Sequence, residues 1–182
     1  MENFDQWGDK ESELVERLPL ITRRHSIRMY NIAKVLEQTL NLDEGVLSTA
    51  ALFHDVGKYY LSESILNKPG RLTNLERKIV NYHAYFSFEL LNETNISEEV
   101  RYIILYHHTE NPETLMPVEF KKTEKILEYA KILHTIDVYE ALTSSRPYRD
   151  ALTREEAFDL MSKTENANYH EKTIEFLQNS YV

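Results

Sequence analysis

An all-α, single-domain helical bundle is what the sequence predicts, and three observations carry that expectation. Only 4 Gly and 5 Pro punctuate the 182 residues, too few turn formers for a sheet protein of this length. Apolar residues recur three to four positions apart along most of the chain, the period of a helix with one buried face. The apolar share of 42% is that of a soluble globular protein, and the length suits one domain with a substantial core. The expected organisation is a lead-in over residues 1–20 and one helical domain around a buried site over residues 21–182, with no repeat or interdomain linker.

The elements follow in order. The first fifteen or so residues are acidic and polar and read as a frayed or weakly docked segment, with Phe4 and Trp7 as anchors. From Thr22 to about Leu40, Met29, Ile32 and Leu36 share a face with His25, which therefore points inward. Asp43 is the expected N-cap of the next helix, whose apolar run Val46, Leu47, Ala50, Ala51 and Phe53 ends in His54 and Asp55; Gly57 then permits a turn. After the loop signal Asn67-Lys68-Pro69-Gly70, Thr73 and Glu76 form a capping box, opening a helix whose stripe is Leu75, Ile79, His83, Phe86 and Leu90. Ser97 caps a helix in which Val100, Ile103 and Ile104 lead to His107 and His108. Residues 111–123 read as loop. A long helix then carries Ile126, Ala130, Leu133, Asp137 and Ala141 on one face, and Thr153 with Glu156 caps a helix bearing Ala157, Leu160 and Met161. A last amphipathic segment holds Tyr169, Thr173, Phe176 and Leu177.

Composition narrows the chemistry. With no cysteine, disulfides, thiolate ligands and cysteine nucleophiles are excluded, and any metal must be held by His, Asp or Glu. The N-terminus lacks a signal-peptide core and no stretch has the length of a membrane span, so a cytoplasmic protein is expected. A formal net charge of -9 argues against binding long nucleic acid, which requires a basic surface. A small phosphorylated ligand stays compatible, because bound metal dominates the charge of its own site.

Of 7 histidines, five fall on inward faces: His25, His54, His83, His107 and His108, joined by Asp55 and Asp137. Any one alone reads as a satisfied core residue. Their recurrence argues otherwise, because an unpaired buried polar group costs roughly 1–3 kcal/mol against a total stability of about 5–15 kcal/mol. A shared metal cluster removes that burden, imidazole nitrogen and carboxylate oxygen both being suitable donors. His134 and His170 lie outside the pattern and read as ordinary.

The blocks His54-Asp55-Val56-Gly57-Lys58, Ile65 through Thr73, His107-His108, and Asp137 through Arg149 together closely resemble HD-GYP domains of the HD phosphohydrolase superfamily. The likeness runs from about Arg24 to the C-terminal helix. It implies an all-helical fold around a two-metal site, with iron or manganese, in bacterial enzymes that open cyclic di-GMP. By position, His25, His54, Asp55 and Asp137 would hold one metal, and Asp55 would bridge to a second held by His83, His107 and His108. Hydrolysis would follow attack of a metal-bridged hydroxide on phosphorus. Lys58 would contact the scissile phosphate or protonate the leaving oxygen. Arg146 and Arg149 would bind ligand phosphate, as guanidinium forks do, and Lys68 is a further candidate for substrate binding.

Two departures stand out. Leu115-Met116-Pro117 occupies the place of the Gly-Tyr-Pro motif, with Thr109, Pro112 and Glu113 also differing, so the family's base or ribose contacts there are altered. Ile21 stands where some members add a glutamate that holds a third metal, so two metals are expected. Three readings stay open: a phosphodiesterase of cyclic di-GMP or a related nucleotide phosphoester, a non-catalytic module that senses a nucleotide or docks a signalling partner, and a bundle with structural histidines. Family members often follow a sensor or receiver domain that this length does not accommodate, so input is expected from a separate protein, and the partners expected are a signalling protein or a second copy in a homodimer.

Overall fold

The computed structural model describes residues 7–66, 68–108, 121–145, 150–164 and 168–179. Among them the regular structure is helical: α1 (Asp9–Glu16), α2 (Leu20–Thr39), α3 (Val46–Phe53), a 3-10 turn (Val56–Tyr60), α4 (Glu63–Leu66), α5 (Asn74–Asn81), α6 (His83–Leu91), α7 (Glu98–Tyr106), α8 (Glu124–Thr143), α9 (Arg154–Ser162) and α10 (Glu171–Asn179). The expected all-α class holds. None of these helices is long and apolar enough to cross a membrane.

The short helix α3 forms the middle of the bundle. Every residue from Leu47 to Phe53 is buried, as befits a helix apolar on nearly all sides, and α2, α7 and α8 pack around it. Met29, Ile32, Ala33 and Leu36 from α2, Val100, Ile103 and Ile104 from α7, and Ile126, Ala130 and Leu133 from α8 complete the core. α9 and α10 lie against α8, burying Ala157 and Met161, and Thr173, Phe176 and Leu177. Leu160, expected on the inner face of α9, is 45% exposed.

The N-terminal segment, its first fifteen or so residues expected to be frayed or weakly docked, is firmly docked from Trp7 onward among the described residues. Residues Asp9–Glu16 are a docked helix with Val15 buried, and the Trp7 ring meets Phe53 edge-on with centroids 5.1 Å apart. Glu11 is buried because its carboxylate accepts the Asn95 N–H at 2.7 Å. Phe4 lies outside the described residues.

Local signals located several helix starts. Thr73 and Glu76 form a capping box at α5, as do Thr153 and Glu156 at α9. The Ser97 hydroxyl accepts the Val100 N–H at α7. α3 differs. Gly45, at φ 79°, is its N-cap in place of the expected Asp43, and its free N–H groups are satisfied from another helix. The buried Glu37 carboxylate of α2 accepts from Ser48 N–H at 2.7 Å, Gly45 N–H at 3.2 Å and the Ser48 hydroxyl at 3.1 Å. Asp43 pairs instead with Lys125.

The single helix expected after Thr73 is two, α5 and α6, meeting at Tyr82. Leu75 is 68% exposed, and the buried row of α6 is His83, Ser87 and Leu91, four residues apart. The rotation brings the small Ser87 under the 3-10 turn. A Cβ added to Gly57 would lie 2.2 Å from the His83 carbonyl oxygen and 2.4 Å from the Ser87 nitrogen. Gly57 is therefore needed for backbone contact with α6, rather than for a left-handed turn. Its N–H donates to the Ser87 hydroxyl at 2.8 Å, which donates in turn to the His54 carbonyl at 2.7 Å.

Two outcomes follow. Gly57→Ala forces the turn away from α6 and lowers stability by about 3 kcal/mol or more, measured by denaturant unfolding. The Glu76 carboxyl is held down to about 2, below its usual 4.5, by the Lys68 ammonium first and then by Thr73. A carboxylate depressed in the folded state stabilises it above pH 4.5 and loses that contribution as pH falls through 2. The gap in thermal midpoint between wild type and Glu76→Gln should accordingly close across that window.

Candidate metal centre

His54 and Asp55 leave the end of α3 where the helix gives way to the 3-10 turn, which places both groups inside the bundle. Asp55 is 1% exposed and lies among the imidazoles of the adjacent His54 and of two other elements, His25 from α2 and His83 from α6. Its Oδ1 is 3.2 Å from His83 Nε2 and 3.4 Å from His54 Nε2. Its Oδ2 is 3.9 Å from His25 Nε2 and accepts from Lys58 Nζ at 2.6 Å.

The remaining donors gather on both sides of this carboxylate. On one side His25 from α2, His54 and Asp137 from α8 present atoms within 4.8 Å of one another, and on the other His83, His107 and His108 do the same. His25 Nε2 stands 3.1 Å from Asp137 Oδ1. The rings form a continuous series, with centroids 5.2 Å apart for His25 and His54, 5.5 Å for His54 and His107, and 5.3 Å for His83 and His107. All seven predicted ligand residues are thus brought together.

The free atoms of this group test whether metal fits. His54, His83 and His107 each direct Nδ1 to a carbonyl three residues earlier, that of Ala51 at 2.8 Å, Val80 at 2.7 Å and Ile104 at 2.5 Å. Each Nδ1 is then the protonated donor and each Nε2 carries the lone pair. Those three Nε2 atoms and Asp55 Oδ1 are buried without any hydrogen-bond partner among the described residues. Orphaned acceptors converging from several helices are costly unless a cation receives them, so the donor set fits divalent metal.

The electrostatics agree. Burial first, with Lys58 and His54 adding to it, pushes His83 down to about 4 despite the Asp55 charge, and burial likewise pushes His107 and His108 well below the usual range. These imidazoles are neutral near pH 7, the form that ligates. Burial opposes the charged form of Asp55, but His54 and Lys58 hold its carboxyl well below the ordinary value. Burial also pulls His25 down, while hydrogen bonds to Asp137 and Glu140 and the Asp137 and Asp55 charges raise it to about 9. Side-chain exposure persists at Lys58, 20%, and Asp137, 18%, so solvent reaches these two groups while Asp55 stays enclosed.

Several residues were not picked out by sequence. Glu140, one turn beyond Asp137, is 3% exposed and accepts from His25 Nδ1 and Arg28 Nε; its spacing from Asp137 on a core-facing helix was the available signal. Ser87 buttresses the His54 turn, its signal being a small polar residue four positions after His83. His134, expected to be ordinary, sets its ring edge-on to His108 with centroids 5.8 Å apart. His170 caps α10 locally through Thr173. Lys68 binds both oxygens of Glu76 at 2.7 Å, which gives it a structural partner. Arg146, Arg149 and the Leu115-Met116-Pro117 loop lie outside the described residues.

The geometry defines a class: a helical protein built around a buried centre of histidines and carboxylates suited to divalent metal. The HD domain family matches residues 10–173, and the chain belongs to that family, the resemblance expected from its motifs. A cyclic di-GMP phosphodiesterase response regulator of Xanthomonas campestris is 33% identical over 134 residues, covering 71% of this chain and 35% of that protein. A 3'3'-cGAMP-specific phosphodiesterase of Vibrio cholerae is 29% identical over 154 residues, covering 83% and 33%. A cyclic di-GMP phosphodiesterase of Thermotoga maritima is 27% identical over 186 residues, covering 96% and 50%. The chain therefore spans between a third and a half of the length of these relatives.

Metal should report directly on these orphaned atoms. Mn²⁺ supplied to metal-free protein at a hundred times its Kd raises stability by about 2.7 kcal/mol for one site, read by thermal unfolding. An unchanged midpoint with Mn²⁺, Fe²⁺ and Zn²⁺ alike would rule the centre out as a metal site.

Proposed function

We propose that the chain is a metal-dependent phosphodiesterase that opens a cyclic dinucleotide, cyclic di-GMP or a related phosphoester such as 3'3'-cGAMP. The observation that carries this reading is the buried carboxylate of Asp55, set between two groups of three donors in which the Nε2 atoms of His54, His83 and His107 have no hydrogen-bond partner among the described residues. That the relatives are phosphodiesterases of cyclic di-GMP and of 3'3'-cGAMP supports the substrate class.

In this reading His25, His54, Asp55 and Asp137 hold one divalent cation, and Asp55, His83, His107 and His108 hold a second, iron or manganese being suited to mixed nitrogen and oxygen donors. Such a pair supplies a nucleophile from water near neutral pH and offsets charge on phosphoryl oxygens. The chain's own residues do the rest. Asp55 fixes the two groups relative to each other. The carbonyls of Ala51, Val80 and Ile104 keep Nε2 of their histidines aimed inward. Lys58, half-way between core and solvent, is placed to neutralise a scissile phosphate or to give a proton to the leaving oxygen. Arg146 and Arg149 add guanidinium contacts to ligand phosphate, with Lys68 a weaker candidate because Glu76 already engages it. An acidic chain of net charge -9 concentrates its attraction for phosphate at this centre rather than over its surface.

The test is elemental analysis of the purified protein alongside hydrolysis assays with cyclic di-GMP and 3'3'-cGAMP. Asp55→Ala should lose both metal and turnover. Lys58→Met should keep its metal while kcat falls by roughly 10²–10⁴-fold, the usual worth of a positioned proton donor. Stoichiometric metal without cleavage of any cyclic dinucleotide would instead identify a nucleotide-sensing or partner-docking module.

A further inference from the structure

The imidazoles of the centre are not held alike. His54, His83 and His107 each rest Nδ1 on a neutral backbone carbonyl of their own helical turn. His25 rests Nδ1 on an anion from another helix, the Glu140 carboxylate. Glu140 is in turn gripped at its other oxygen by Arg28 Nε and by the Ser144 hydroxyl, the latter at 2.6 Å. His25 with Arg28 and Asp137 with Glu140 are both pairs spaced by three residues, so α2 and α8 each present one ligand and one clamp residue at their contact.

This arrangement has two chemical effects. A carboxylate only accepts, so Nδ1 of His25 keeps its proton on Glu140, and once Nε2, beside Asp137, gives up its own proton to bind metal the ring is fixed in the Nδ1–H form. A charged acceptor also makes the imidazole a stronger donor than a carbonyl does, and such outer partners are worth roughly 10–100-fold in metal affinity. Among the described residues the effect falls on the His25 group, since His83 and His107 rest on neutral carbonyls.

We propose that Glu140 is a positioning residue that fixes the His25 tautomer and makes the His25, His54 and Asp137 group the tighter of two metal positions, so that the centre fills in order. The inference rests on the two-metal reading of this site. Arg28 and Ser144 act through Glu140 by holding its carboxylate in place.

The experiment is calorimetric titration of metal-free full chain with Mn²⁺, together with nitrogen-15 NMR of the histidine rings in protein loaded with Zn²⁺, a closed-shell ion that leaves the ring signals visible. Wild type should show two classes of one ion each. Glu140→Gln should weaken the tighter class by roughly 10–100-fold, leave the weaker class within about twofold, and shift His25 from a pure Nδ1–H tautomer to a mixture. His108→Ala should remove the weaker class only. Should Glu140→Gln not fold, Arg28→Met and Ser144→Ala, which free the carboxylate without touching His25, should weaken the same class to a smaller degree. A single binding class in wild type, equal weakening of both classes, unchanged affinities or an unchanged His25 tautomer would each overturn the proposal. These readouts do not depend on turnover: ordered filling with no cleavage refutes the phosphodiesterase reading alone, and cleavage with unshifted affinities refutes the positioning role alone.

Discussion

The structure depends on burying one ionised carboxylate. An isolated carboxylate taken out of water is so costly that it normally protonates instead, yet Asp55 is 1% exposed and held ionised. What makes this tolerable is convergence: the end of α3, the start of α6, the end of α7 and one face each of α2 and α8 all point nitrogen or oxygen donors at the same small volume. The aliphatic core has a second task here. Leu47, Leu52, Ile103, Ile104, Ile132 and Leu133 are all buried at 1% or less, and this packing keeps each donor-bearing helix end from relaxing toward solvent.

What the sequence disclosed and what it withheld divide along range of interaction. The capping boxes at Thr73 and Thr153 were legible because both partners sit three residues apart. The seven ligand residues were legible because a histidine or aspartate on an apolar stripe is anomalous wherever it occurs. By contrast, the docking of α1 turns on Glu11 reaching Asn95, 84 residues away, and the start of α3 turns on Glu37 reaching Ser48 from another helix. Glu140 belongs with these. One turn past Asp137 it shares that residue's inward face, but nothing within its own helix says what meets its charge until α2 supplies His25 and Arg28.

The same division explains the misplaced stripe after Thr73. Periodicity alone joined Leu75 to His83 and Phe86 on a single helix face. The break at Tyr82 and the rotation that buries Ser87 come from a neighbour, the 3-10 turn, whose backbone needs a small side chain opposite it. A pattern read within one helix carries no information about how close the next element approaches.

That close approach also bears on how such a centre can diversify. Where Gly57 meets His83 and Ser87, main chain rests on main chain, and the carbonyl of His54 is tied through Ser87 to the same helix. The separation between the carboxylate of one segment and the histidine of the other is thereby set by peptide dimensions, as by a ruler, and not by the bulk of any replaceable side chain. Surrounding loops are free to drift and to alter what is recognised, while the pitch of the donor array beneath them stays constant.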